Sequence, residues 1–240
     1  MSSAAPVFRF RDHTSVALEV LIAALTLLPF PILSCFYSSL PEQIPEYLNL
    51  HGEVEVWGRK SLFSVFRLAL MGLDLQLLAL FMKYGLWQRY VAQLSQPAER
   101  FASETLRLMA GLTDWLRVMA AIKLFVSAIE VIFLTNEKFT SLATATRAIS
   151  WISSILGVVG AVAYIYRALR LKRLMPPALV KAKQSLNQTR VHGGLFYYNS
   201  ADPSLFVEKY LFNFANPGTY VFLLCLLCLP LLMFLPLLTS

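Results

Sequence analysis

The sequence predicts an all-α integral membrane protein: a bundle of five transmembrane helices with the N-terminus in the cytoplasm and the C-terminus outside. Three observations carry this. Hydrophobic residues make up 57% of the 240 and charged residues only 15%, where a soluble domain carries about 25%, so there is too little polar surface to coat a globule. The apolar residues gather in five blocks, 15–36, 61–82, 111–134, 148–169 and 220–238, each near the roughly 20 residues a helix needs to cross a ~30 Å hydrocarbon core. Lys and Arg are also segregated between the connecting segments. The N-terminal segment, 83–107 and 170–216, with Arg167, carry fourteen of them, whereas the opposite side holds only Arg59, Lys60, Lys138 and Arg147. The basic side faces the cytoplasm. That split accounts for the net charge of +7 without a nucleic-acid partner.

The first block reads as a retained helix, being longer than the apolar core of a signal peptide, with Cys35 as a buried thiol. Its Pro29 and Pro31 predict a kink in the outer half, as Pro230 and Pro236 do in the fifth block. The outer loop 37–60 contains Pro41 and Pro45, which hold the residues before them extended, Gly52 and Gly58, which permit turns, and the amphipathic Tyr47 and Trp57. It is expected to fold back on the membrane surface with its aromatics at headgroup level. The plain reading is a structured re-entry between two helices; the sharper one is a ligand or partner surface. The stretch 170–216 begins basic, is interrupted by Pro176 and Pro177, and resumes as an amphipathic piece with Lys181 and Lys183, suited to an anionic inner leaflet. An aromatic-rich run follows, with an Asp202-Pro203 turn and a break at Asn216-Pro217-Gly218. The organisation is therefore 1–82 as a two-helix unit with its outer loop, 83–169 as helices three and four, 170–217 as a membrane-apposed cytoplasmic region, and 218–240 as the fifth helix.

Ionisable residues inside the blocks are costly in hydrocarbon, about 2.5–3.5 kcal/mol each on insertion scales, so each should face the protein interior and find a partner. Arg67 and Asp74 are seven apart on the second helix, and Lys123 and Glu130 seven apart on the third, so each pair shares a face. At 1.5 Å per residue, Arg67 and Glu130 lie roughly 9 and 6 Å below the outer helix ends, and Asp74 and Lys123 roughly 20 and 17 Å below. Depth and sign predict the pairs Arg67–Glu130 and Asp74–Lys123. Near the inner side Glu19 matches Arg117, with Asp114 one turn away. Structural clamps are the plain reading of these pairs, and a proton or ion pathway the alternative.

Little catalytic chemistry is visible. His13, His51 and His192 fall on different sides of the membrane, and Cys225 and Cys228 sit in an apolar block as buried thiols. Three cysteines make no disulfide framework, and there is no Gly-rich phosphate loop, HExxH or GxSxG pattern. No enzyme activity, metal or cofactor is expected.

The outer loop carries a recognisable pattern: Leu40, Pro41, Ile44, Pro45, Asn49, Gly52, Glu53, Trp57, Gly58, Lys60 and Ser61. Over about sixty residues it resembles the N-terminal domain of the SdpI-type immunity-protein family, with Tyr47 standing where the family often has His and Glu55 or Val56 where it often has Asp. The resemblance makes Leu40, Pro41, Ile44, Pro45, Asn49, Gly52, Trp57 and Gly58 candidate partner-binding residues. A second group, Tyr198, Asn199, Asp202, Pro203, Phe206, Lys209 and Asn213, resembles a short C-terminal domain of relatives of that family, here with its usual Gly-rich stretch shortened. The resemblance implies a bacterial cytoplasmic-membrane protein that protects against a secreted peptide toxin and sequesters a small cytoplasmic regulator. The expected function is a non-enzymatic immunity-like or signal-sensing module. Its partners would be the lipid bilayer, a membrane or peptide partner outside and a regulator inside, with no direct nucleic-acid contact. An accessory subunit of a larger membrane complex and a small proton- or ion-coupled transporter are the alternatives.

Overall fold

A computed structural model of the chain describes residues 15–48, 54–92, 99–136, 139–173, 206–207 and 211–239. It is mostly helical. In chain order come α1 (Val16–Leu27), α2 (Pro29–Phe36), a 3-10 turn (Tyr37–Ser39), β1 (Gln43–Leu48), β2 (Val54–Arg59), α3 (Leu62–Ala92), α4 (Glu99–Leu134), α5 (Thr140–Arg173), the two-residue strands β3 (Phe206–Val207) and β4 (Leu211–Phe212), and α6 (Pro217–Thr239). Three stretches are long and apolar enough to cross a membrane: Val16–Ser39, Leu62–Gly85 and Ser141–Leu171. A shorter apolar stretch, Pro217–Leu232, lies in α6. Asp114, Arg117, Lys123 and Glu130 make α4 more polar than these.

The helix boundaries follow from local chemistry. Pro29 has no N–H to donate, and α1 gives way to α2 there; the Leu28 and Ile32 amides still donate to the carbonyls four residues back, so the helical path carries on across the junction. Ser61 caps α3: its hydroxyl accepts the Ser64 N–H at 3.0 Å while the Ser64 hydroxyl accepts the Ser61 N–H at 2.8 Å, a reciprocal capping box built from two serines. At α6 the Asn216 side-chain oxygen accepts the Gly218 N–H at 2.9 Å, and Pro217 occupies the first helical position, where a missing N–H costs nothing. The break expected at Asn216-Pro217-Gly218 is thus a helix start.

The chain divides into two compact units. One comprises 1–19, 79–114 and 161–223; the other 20–78, 115–160 and 224–240. The second unit holds a core of Leu33, Leu40, Ile44, Val65, Ala69, Ala128 and Ile132, with Phe30 stacked on Phe66 at 6.0 Å between ring centres. In the same unit α4 and α5 approach closely. The Trp115 indole N–H donates to the Leu156 carbonyl at 3.1 Å, which lays the ring directly over Gly160, where any Cβ would overlap it. Replacing Gly160 with Leu should therefore destabilise the protein by about 1–3 kcal/mol, read as a lower thermal midpoint in detergent; an unchanged midpoint would show that the ring is free to move.

The all-α expectation needs amending. The outer loop is an antiparallel β-hairpin, paired from Gln43↔Arg59 to Leu48↔Val54 with register shifts on either side of Tyr47. Pro45 sits beside the first shift, where a strand tolerates a missing donor. The helices also run past the apolar blocks: α3 continues ten residues beyond 82, and α4 begins twelve residues before 111. Lys83, assigned to a cytoplasmic loop, and Arg147, assigned to an outer loop, are therefore helical. Hydropathy marks the apolar length of a helix and not its polar ends, which caps and long basic side chains can extend.

Candidate functional sites

The hairpin is anchored from beneath. Ile44 is 1% exposed and belongs to the core of α2, α3 and α4. At its base the Lys60 N–H donates to the Glu42 carbonyl at 2.7 Å, and the Lys60 ammonium donates to the Leu40 carbonyl at 2.7 Å while lying over the Tyr37 ring. One turn into α3, the Arg67 guanidinium donates to the Glu46 carbonyl at 2.8 Å. Along β2 the residues alternate: Val54, Val56 and Gly58 are half-buried, whereas Glu55, Trp57 and Arg59 are exposed. Gly58 is required by crowding, since a Cβ there would strike the Glu46 side chain. The result is a fixed platform with one face held by the helices and Trp57, 54% exposed, on the other.

Under the hairpin lies a cavity of about 320 Å³, walled by Pro45 and Glu46 of β1, by one face of α3 from Ser64 to Met71 and by one face of α4 from Ser127 to Leu134. Arg67 and Glu130 both line it, but they are not partners. Glu130 accepts from the Arg147 guanidinium of α5 at 3.0 Å. The predicted Arg67–Glu130 pair is thus replaced by two separate attachments, Arg67 to the hairpin and Glu130 to α5.

The second predicted pair is also redistributed. The Lys123 ammonium donates to the Ser154 hydroxyl of α5 at 3.1 Å, and Asp74 meets the Cys225 thiol of α6. Asp74 Oδ2 has no hydrogen-bond partner among the described residues. A seven-residue spacing puts two groups on one face of a helix, but it does not say which neighbour that face meets. Here α5 and α6 supply partners that a two-helix comparison omits.

Glu19 and Arg117 belong to different units. Arg117 and Gln76 bind reciprocally: the Gln76 amide donates to the Arg117 carbonyl at 2.9 Å and the Arg117 Nε–H donates to Gln76 Oε1 at 3.2 Å. Glu19 lies with Lys83. That lysine, 2% exposed, is the largest fully buried side chain among the described residues, and its ammonium donates to both Asp114 oxygens at 2.7 and 2.8 Å with Glu19 at 3.5 Å. This three-helix cluster of the first unit was hidden in the sequence because Lys83 falls just outside an apolar block. Its position one step past Met82, on a helix with no stop signal, was the available clue.

Of the other sequence-marked residues, Leu40 joins the core, Pro41 is exposed and Pro45 lines the cavity. Asn49, Gly52, Tyr198, Asn199, Asp202, Pro203 and Lys209 lie outside the described residues, as do Lys181 and Lys183 of the expected surface helix. Phe206 opens β3 opposite Phe212 of β4. Asn213 is fully buried: its side chain accepts the Ala215 N–H at 3.1 Å and its carbonyl accepts from the Thr219 hydroxyl at 2.7 Å, so it organises the entry to α6. Cys35, expected to be buried, is exposed. Among the described residues no three His, Cys, Asp or Glu side chains group as metal ligands. No family model, curated protein or solved structure matches the chain.

Proposed function

We propose that the chain is a five-span protein of the bacterial cytoplasmic membrane, N-terminus inside, that acts as a non-enzymatic immunity-like or signal-sensing module with the β-hairpin as its outward recognition element. The observation that carries this reading is the seating of Ile44 among α2, α3 and α4 while Glu55, Trp57 and Arg59 stay exposed on the opposite strand. A partner gripping the exposed face would act directly on the helix core, because Lys60 and Arg67 leave the hairpin little independent motion. The likeness of the hairpin residues to the SdpI-type loop and the fourteen-to-four distribution of basic residues support the same reading. A photocrosslinking residue placed at Trp57 in intact cells should capture a discrete partner species. The same residue at Val158, which is exposed on α5, should capture only lipid. Identical products at the two positions would sink the proposal.

A second reading is favoured by the buried Lys83–Asp114–Glu19 cluster. Ionisable groups buried together between helices also suit proton- or ion-coupled transport. Purified protein in liposomes should then carry a pH- or ion-gradient-dependent flux, and the Lys83 variants described below should abolish it. A tight vesicle under every gradient tried would leave the cluster a structural clamp.

A further inference from the structure

We propose that the free edge of β2 pairs with β2 of a second copy of the chain, antiparallel about a two-fold axis at Trp57, so that two hairpins form one four-stranded sheet. The inference rests on the reading of the hairpin as an outward recognition element and names what its open edge takes.

The backbone of the hairpin leaves one edge open and closes the other. In an antiparallel ladder, pairs that exchange both hydrogen bonds alternate with pairs that turn their N–H and carbonyl outward. Pro45 stands opposite Trp57 and has no N–H to exchange, so that pair takes the outward phase. The neighbours agree. The Arg59 carbonyl, two residues along, turns out to the Ser64 hydroxyl at 3.0 Å, and the Lys60 N–H, in the alternate phase, donates inward to the Glu42 carbonyl at 2.7 Å. The Trp57 N–H and carbonyl thus face away from β1, and β2 is hydrogen-bonded to no second strand among the described residues. Along β1 the same phase puts the missing donor of Pro45 on the outer edge, and Arg67 holds the Glu46 carbonyl there. An open edge like that of β2 is a template for another strand, and a two-stranded hairpin is marginal where a sheet of three or more strands is not.

The side chains select which strand. Glu55, Trp57 and Arg59 share the exposed face, with an acid two residues before the tryptophan and a base two residues after it. Within one strand Glu55 and Arg59 are about 13 Å apart, too far to meet, and neither forms an ion pair with another described residue. A second β2 laid antiparallel with Trp57 opposite Trp57 brings Glu55 of each copy opposite Arg59 of the other. Two opposite-charge pairs then flank the indoles, with alpha carbons of facing residues about 5.5 Å apart. A register two residues off in either direction separates these pairs. Because Ser64 already takes the Arg59 carbonyl, the main-chain bonds of the contact are the two exchanged at Trp57, and the charges supply the rest. The arrangement is self-complementary, as a two-fold contact must be. Its axis is perpendicular to the sheet, so the helices under each hairpin stay on the same side, as two chains inserted alike in one bilayer require.

The test is co-expression in intact cells of two differently tagged full-length copies, each with a photocrosslinking residue at Trp57. Irradiation should join both tags in one product. Glu55→Arg in both copies should lower its yield about tenfold, as should Arg59→Glu in both, because two attractive cross-strand pairs become repulsive. Glu55→Arg in one copy with Arg59→Glu in the other should restore the yield to near wild type, since both cross-strand pairs are then again of opposite charge. That rescue separates lost pairing from lost folding, because two misfolded chains cannot repair each other. A yield indifferent to the reversals, or a mixed pair no better than either variant alone, would overturn the assignment. So would capture of a different protein at Trp57 with no product carrying both tags, which would leave the hairpin's role as a recognition element standing. Capture of lipid alone would remove both.

Discussion

Lys83→Met is expected to be the most damaging single change in the described part of the chain. The ammonium is bidentate to Asp114 and lies near Glu19, and almost none of it is exposed. Removing one member of a buried ion pair typically costs about 3–5 kcal/mol, because the remaining charge loses its compensation while staying buried. The measurement is the thermal midpoint and the monodisperse yield in detergent, where both should fall sharply. The double variant Lys83→Met with Asp114→Leu should recover most of the loss, since an apolar pair of similar volume is often neutral in place of a buried ion pair. Lys83→Arg should sit between them, because a planar guanidinium does not fill a slot shaped around a point charge. A Lys83→Met protein as stable as wild type would show that the cluster contributes nothing to the fold.

Ile44→Ala is the second large expectation. Ile44 is the hairpin's anchor in the core, and truncating a fully buried isoleucine to alanine costs about 2–5 kcal/mol through lost transfer energy and the cavity left behind. Here the loss has a place as well as a size. Hydrogen exchange should speed up first in β1 and β2, while the middle of α3 and α5 stays protected. Exchange that rises uniformly across the chain would mean the hairpin and helices unfold as one unit. No change at all would mean that the Lys60 and Arg67 contacts hold the hairpin alone.

The sequence made some of this legible and hid the rest for identifiable reasons. The helix junction at Pro29, the helices themselves and the need of each intrahelical charge for a polar neighbour could be read directly, because they depend on residues close together in the chain. The partners could not. Glu130 finds Arg147, and Lys123 finds Ser154, both on α5, because helical periodicity fixes a face and leaves open which helix that face meets. Lys83 was hidden by its place at the border of an apolar block. The hairpin was obscured by its own punctuation: Pro41, Pro45 and Gly58 read as loop, although the alternation of Val54 and Val56 with Glu55, Trp57 and Arg59 is the signature of a half-buried strand. The candidate site was therefore half visible. The loop residues were marked, but the cavity beneath them depends on α3 and α4 faces that only the packing brings together.

The charge content of α4 bears on how the chain is made. The four ionisable residues of its stretch 111–134, Asp114, Arg117, Lys123 and Glu130, would together cost about 10–14 kcal/mol if that stretch entered hydrocarbon alone. Two of their partners, Lys83 and Gln76, sit on α3 and have already left the ribosome when α4 emerges, whereas Arg147 and Ser154 are still to be synthesised. In the five-span reading α4 therefore settles in the bilayer only when α5 arrives. During biosynthesis it would wait at the translocon against α3, its outer half unsatisfied until the next thirty or so residues are translated.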